Sequence, residues 1–88
     1  MIKVVRATHR ADFQIELEFS TGEVGLVDLS ELVGRPGSMV LPLRERATFR
    51  AFFLEMGALA WPNGFELSPE ALYRKAQSAG TIRKGRAA

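Results

Sequence analysis

The seven residues from Phe13 to Phe19 alternate between apolar and polar side chains without interruption. Successive side chains of a β-strand point to opposite faces, so this pattern is typical of a strand with one face on a core and one in water. Ile15 and Leu17 then point inward, and Glu16 and Glu18 point outward. The segment predicts a sheet with one solvent-exposed face, on which the two glutamates lie.

Two further segments predict strands on either side of this one. Residues 2–8 are rich in β-branched side chains, and residues 23–28 alternate around Gly25, a weak point or bulge in a strand. Thr21-Gly22 supplies a tight turn between the second and third strands. We therefore expect an antiparallel meander whose inward side chains are Phe13, Ile15, Leu17, Phe19, Val24 and Leu26.

Short helices are indicated near 28–33, 44–50 and 69–78. Asp28 and Glu31 have the spacing of a capping box. Ser68-Pro69-Glu70 combines an N-cap residue, a proline at the first helical position and an acid in the first turn.

Residues 51–56 fit two structures. Phe49, Phe52, Phe53 and Met56 have helical spacing, whereas the two apolar runs on either side of Gly57 fit a hairpin. Gly57 favours the strand pair, but periodicity alone leaves both open.

The segment from Trp61 to Tyr73 holds the only tryptophan and the only tyrosine. Pro62 ends a strand and Asn63-Gly64 forms a turn, which accounts for these residues structurally. Three side chains are left without a structural role and are candidate contact residues: Trp61, Glu66 and Tyr73. Glu16 and Glu18 are further candidates, although a solvated sheet face explains them as well.

Composition limits the chemistry available to these 88 residues. The chain contains no cysteine, which excludes disulfides, thiolate zinc sites and thiol nucleophiles. His9 is the only histidine, and the carboxylates show no ligand spacing around it. We predict no catalytic, cofactor-binding or metal-binding residue, and no enzyme activity.

The basic residues cluster at the end of the chain. All ten acidic residues precede Arg74, whereas five basic residues and no acid lie from Arg74 onward. We expect a single α+β domain of about 4–5 strands over residues 1–78, followed by a flexible basic tail over 79–88. Weak contact with nucleic acid, if any, is assigned to Arg44, Arg46, Arg50, Arg83, Lys84 and Arg86.

The order of these motifs resembles a known family. Phe19-x-x-Gly22, Val27-Asp28-Leu29 and above all Trp61-Pro62-Asn63-Gly64-x-Glu66-Leu67-x-Pro69-Glu70-x-Leu72-Tyr73 are similar to the bacterial family called domain of unknown function twenty-four forty-two (DUF2442). The resemblance covers about residues 2–75 and implies a compact α+β fold with a strand before Gly57. Glu66 departs mildly from the family pattern, where aspartate is more usual.

The resemblance also bears on function. Some relatives carry a helix-turn-helix DNA-binding domain after this module, but we expect no transfer of that function, because the chain ends at Ala88. Others are encoded beside small proteins in arrangements that look like toxin–antitoxin pairs.

We therefore expect a cytoplasmic protein-interaction module, antitoxin-like, whose partner is a small protein or a second copy of the chain (a homodimer). The alternative is a transcription-regulation accessory or a weak nucleic-acid binder that acts through the basic C-terminal tail. Membrane association is not expected, because the apolar runs are far shorter than about 20 residues.

Overall fold

Three strands form an antiparallel meander at the start of the chain. The computed structural model describes residues 1–85 and places β1 at Val4–His9, β2 at Gln14–Phe19 and β3 at Glu23–Asp28. β2 pairs antiparallel with both of its neighbours. The predicted meander is confirmed, and Gly22 turns the chain into β3 with a φ of 90°, a conformation that glycine adopts without steric cost.

The helices after the meander are short. α1 spans Ser30–Val33, a 3₁₀ turn spans Leu41–Arg44, and α2 spans Arg46–Phe49. Asp28 accepts a hydrogen bond from the Ser30 N–H at 2.9 Å, but the N-cap position is Leu29, one residue later than expected, and no side chain of the described residues caps the helix. The predicted capping box of Asp28 and Glu31 therefore does not form, and Glu31 pairs with Arg35 at 3.3 Å.

The ambiguous stretch is a strand. β4 (Phe53–Glu55), β5 (Ala58–Ala60) and β6 (Glu66–Leu67) form a second antiparallel sheet in that order. The Val4 N–H donates to the Gly57 carbonyl at 2.9 Å, which joins the β4–β5 turn to the start of β1. α3 follows at Pro69–Ser78, with the Ser68 hydroxyl accepting from the Ala71 N–H at 3.1 Å.

A fourth strand extends the first sheet. β7 (Arg83–Lys84) pairs antiparallel with β3, which gives the strand order β1-β2-β3-β7. We expected residues 79–88 to form a flexible tail, but Arg83 and Lys84 are part of the sheet. The described residues contain seven strands in two sheets, whereas about 4–5 strands were expected. The difference arises because β6 and β7 have two residues each, too few to produce an alternation pattern. Arg86 lies outside the described residues.

The register of β3 reverses the predicted orientation of two side chains. Leu17 of β2 lies opposite Gly25, so Gly25 faces the core and its neighbours Val24 and Leu26 face the other way. A Cβ at Gly25 would lie 2.8 Å from the Ala76 Cβ, so the missing side chain lets α3 pack directly on the sheet. The expectation that Val24 and Leu26 point into the core was wrong.

The core lies between the first sheet, α3 and the second sheet. Trp61 is 1% exposed and is among the largest fully buried side chains. Its indole N–H donates to the Phe49 carbonyl at 2.8 Å. Around it pack buried side chains from every major element: Ile15, Leu17, Phe19, Val27, Leu43, Phe49, Leu59, Leu72 and Ala76.

Candidate functional site

The two faces of the four-stranded sheet differ in the described part of the chain. One face packs on α3 and the core, and the other faces solvent. Cross-strand partners share a face, so the pairing register defines the solvent side. We call this surface the open face; its residues are Arg6, Thr8, Arg10, Gln14, Glu16, Glu18, Val24, Leu26, Asp28 and Arg83.

One row of the open face runs across all four strands. Arg6 lies opposite Glu18, Glu18 lies opposite Val24, and Val24 lies opposite Arg83. Charged residues therefore occupy both ends of the row, while an apolar side chain lies inside it.

A second row of the open face is parallel to the first. Thr8 lies opposite Glu16, and Glu16 lies opposite Leu26. The apolar residues of the two rows are neighbours along β3, so Val24 and Leu26 form one apolar strip.

Glu16 is the centre of the charge network on this face. Its Oε1 accepts hydrogen bonds from the Arg10 Nε, at 2.8 Å, and from the Arg10 Nη2. Its Oε2 lies 3.5 Å from the Arg83 Nη2. Arg6 and Glu18 form a separate, longer pair at 3.8 Å. Arginine side chains from β7 and from the β1–β2 turn therefore converge on one carboxylate.

The apolar strip forms the floor of a shallow depression. Val24 is only 9% exposed although nothing in the described chain is layered over this face, and Leu26 is half-buried. Long arginine stems can cover apolar surface while their charged ends stay in water. Two overlapping depressions of about 410 and 440 Å³ share the residues Arg10, Glu16, Val24 and Arg83.

Thr81 completes the edge of β3 where β7 does not reach. Its hydroxyl oxygen accepts from the Leu26 N–H at 3.1 Å and lies 2.7 Å from the Leu26 carbonyl, to which it can donate. A single side chain thus replaces a backbone partner at this position. Thr81 also anchors the segment that leads into β7.

The other predicted contact residues do not join the open face. Trp61 is buried in the core, Glu66 is exposed on β6 of the second sheet, and Tyr73 is half-buried on α3. The Tyr73 hydroxyl donates to Glu23 at 2.9 Å, and this hydrogen bond raises the pKa of Tyr73 above its ordinary value. Of the five candidates, only Glu16 and Glu18 lie together.

The predicted nucleic-acid residues are dispersed. The Arg44 guanidinium donates to the Val33 carbonyl at 2.7 Å and to the Arg35 carbonyl at 3.1 Å, and so fixes the loop after α1. Arg46 lies 3.8 Å from Asp12. Arg50 shares a cleft of about 40 Å³ with Arg46 and His9.

The predicted basic tail is divided between surfaces as well. Arg83 belongs to the open face, whereas Lys84 lies opposite Glu23 and therefore on the other side of the sheet. These basic residues do not form one continuous basic patch.

Residues 1–85 show no group of three or more potential ligands that could hold a metal ion. The His9 ring donates from Nε2 to the Asp12 carbonyl at 2.9 Å, and its edge packs near Phe49. Within the same residues, no helix is long and apolar enough to cross a membrane.

Sequence reasoning missed most of the open face. Arg6, Arg10, Val24 and Leu26 were not candidates, because Val24 and Leu26 were assigned to the core. The glycine between them was the available signal. A residue without a side chain, between two apolar residues in a strand, allows either face to be the buried one.

Comparison with known protein families gives a match over most of the chain. The family model described as a protein of unknown function (DUF2442) matches residues 4–78, which include β1 to β6 and α3. No curated protein and no solved structure matches the chain. The fold agrees with the α+β architecture that the sequence motifs predict. The chain therefore belongs to the DUF2442 family.

Proposed function

We propose that the chain is a protein-binding module without enzymatic activity, and that the open face is its contact surface. The observation that carries the proposal is the apolar strip of Val24 and Leu26 on an otherwise charged, uncovered sheet face. An apolar centre with a polar rim is the usual arrangement of a protein interface. The opposite face of the sheet is not accessible to a partner, because α3 and the core cover it.

The chemistry of the open face favours binding over catalysis. Glu16 accepts hydrogen bonds from Arg10 and lies 3.5 Å from Arg83, so guanidinium donors already occupy both of its oxygens. Catalytic sites usually combine ionisable groups with perturbed pKa values in a cleft. The shifted pKa values of Asp28 and Tyr73 have structural causes away from a cleft, namely the hydrogen bonds to the Ser30 N–H and to Glu23.

The composition of the open face also favours a protein over single-stranded nucleic acid. Proteins hold single strands by stacking bases on aromatic side chains along a basic groove. The open face as defined above contains no aromatic residue, and its three arginines are accompanied by three carboxylates, those of Glu16, Glu18 and Asp28.

The partner we propose is a small protein. The resemblance described above includes relatives encoded beside small proteins, which supports an antitoxin-like role in such a pair. A second copy of the chain could use the same face, and the experiment below tests both.

A substitution that blocks the open face with a bulky side chain tests this proposal. Thr8 is exposed in the second row, so Thr8→Tyr adds a bulky side chain above Glu16 without changing the core. Gln77→Tyr on α3 is the matched control, since Gln77 is also exposed. A partner that co-purifies from the native cells is identified by mass spectrometry, produced separately and titrated against each variant.

We expect Thr8→Tyr to weaken partner binding at least about tenfold, equivalent to about 1.4 kcal/mol, and Gln77→Tyr to bind normally. If the partner is a second copy, sedimentation should show that Thr8→Tyr shifts the chain to monomer. Equal binding by the wild type and Thr8→Tyr would exclude the open face. A strict monomer with no protein partner would contradict the proposed function itself.

A further inference from the structure

The charged groups of the open face are exposed to different extents. The arginine side chains of Arg6, Arg10 and Arg83 are 75%, 53% and 64% exposed, whereas those of Glu16 and Glu18 are 27% and 42% exposed. A third carboxylate, Asp28, lies opposite Gln14 at the end of β3 and accepts from the Ser30 N–H. A ligand approaching this face therefore meets guanidinium groups first.

The arginines also keep hydrogen-bonding capacity. A guanidinium has five N–H donors and no acceptor. Arg10 directs two of its nitrogens at Glu16, and Arg83 directs one. The remaining N–H donors of these exposed side chains face solvent, where they can donate to the acceptors of a ligand.

The positions of these groups define what fits between them. On the open face, Arg10 approaches Glu16 from the β1–β2 turn and Arg83 approaches it from β7, and the strip of Val24 and Leu26 lies beside it. Guanidinium groups recognise carboxylates in a bidentate geometry that lysine cannot reproduce. A ligand with carboxylates on either side of an apolar side chain would match both the charge and the floor.

We propose that the open face binds an acidic segment of its partner. Carboxylates of that segment take the free donors of Arg10 and Arg83, and an apolar side chain rests on Val24 and Leu26. Glu16 is then an internal competitor of the ligand for the two guanidinium groups. This inference rests on the proposed function and adds the chemical class of the partner surface.

A small set of probes tests the charge class. The acetylated peptide Glu-Glu-Leu-Glu-Glu is titrated into the full chain at low salt, and the methyl resonances of Val24 and Leu26 are followed. The same peptide with lysine, or with glutamine, in place of glutamate provides two charge controls. A twelve-residue oligothymidylate tests whether phosphates bind instead.

We expect the acidic peptide to shift both methyl groups and to bind more weakly as salt is added. Loss of one exposed ion pair, by Arg10→Gln or Arg83→Gln, should weaken it about two- to fivefold. Arg74→Gln on α3 removes the same charge elsewhere and should have no effect. Glu16→Gln should tighten binding by a similar factor, because it removes the competing carboxylate.

Three results would overturn the inference: stronger binding of the lysine peptide or of the oligothymidylate, weaker binding after Glu16→Gln, or an equal effect of Arg74→Gln and Arg83→Gln.

The blocking variant Thr8→Tyr separates a failure of this inference from a failure of the proposed function. If the acidic peptide does not bind but Thr8→Tyr still releases the natural partner, the face is correct and the charge class is wrong. If the peptide binds but Thr8→Tyr keeps the partner, the partner uses another surface.

Discussion

The indole of Trp61 is held by packing and by a hydrogen bond at the centre of the core. It contacts the rings of Phe49, Phe52 and Phe65 at centroid distances of 5.7–6.3 Å. Its N–H donates a hydrogen bond to the Phe49 carbonyl at the buried end of α2. This position identifies Trp61 as a folding residue and removes it from the contact residues that the sequence suggested.

We expect Trp61→Ala to destabilise the fold by about 3–5 kcal/mol, because it removes a large buried ring and leaves a cavity. That loss is large against a total stability of about 5–15 kcal/mol. Urea unfolding followed by circular dichroism measures it. A loss below about 1 kcal/mol would show that the ring is exposed in solution.

Gly25 sets which face of β3 is buried. A Cβ at this position would lie 2.8 Å from the Ala76 Cβ and 3.0 Å from the Ile82 Cδ1. Gly25→Ala should therefore cost about 1–3 kcal/mol through overpacking.

Gly34→Ala is the control for Gly25→Ala. Its nearest neighbour would be at 3.4 Å, and its backbone is right-handed helical, so it should be neutral or stabilise by up to about 1 kcal/mol. The double variant Gly25→Ala/Ala76→Gly should lose less than the sum of its two single variants. Additive losses would mean that the two residues do not touch.

At the scale of elements, the segment that leads into β7 is held on β3 by the side chain of Thr81, which takes the place of a backbone hydrogen-bond partner. The Thr81 hydroxyl serves the Leu26 N–H and carbonyl on the uncovered edge of β3. Thr81→Val keeps the shape but removes these hydrogen bonds, so we expect a loss of about 1–3 kcal/mol.

Amide exchange of Leu26 should also become faster in Thr81→Val. Thr8→Val, an exposed threonine on β1, is the matched control and should change stability by less than about 0.5 kcal/mol. Unchanged exchange at Leu26 would show that Thr81 does not close this edge.

The start of α1 should be sensitive to acid. The Ser30 N–H lowers the pKa of the Asp28 carboxyl below its ordinary value of 3.8. A pKa that is lower in the folded than in the unfolded state stabilises the fold above the unfolded value, and that contribution is lost as pH falls through the folded value.

Asp28→Asn keeps an oxygen acceptor but cannot ionise. We therefore expect this variant to be less stable than the wild type near neutral pH and to converge with it below about pH 3. Urea unfolding across this pH range gives the difference. A gap that stays constant with pH would show that ionisation of Asp28 contributes nothing.

Sequence patterns predicted some of these elements and not others, for physical reasons. The alternation of Phe13–Phe19 and the N-cap at Ser68 are local signals, and both elements formed as predicted. The pairing of β7 with β3 depends on contacts between residues far apart in the chain, which no local pattern encodes. Basic composition alone therefore suggested a flexible tail where the structure has a strand.

At the scale of the molecule, the open face is small for a binding surface. Six residues of strand extend about 20 Å, and four strands span about 14 Å, an area near 300 Å². Stable complexes bury about 800 Å² on each partner. We therefore expect either a transient complex or a partner that also contacts residues around the face.

The site could be predicted only in part from the sequence. Alternation placed Glu16 and Glu18 on a solvated face, which the structure shows. The arginines around Glu16 come from β7 and from the β1–β2 turn, and only the folded sheet brings them together. The apolar strip could not be predicted, because β3 carries apolar side chains on both faces around Gly25. Only the pairing register shows which face is buried.

The most direct test is a methyl chemical-shift map of the chain with its natural protein partner. Val24 and Leu26 report on the open face, while Leu72 of α3 and Val33 of α1, both buried in the core, report on the opposite side. We expect the partner to shift Val24 and Leu26 strongly and to leave Leu72 and Val33 nearly unchanged. Strong shifts at Leu72 and Val33, with Val24 and Leu26 unmoved, would contradict the assignment of the open face as the binding surface.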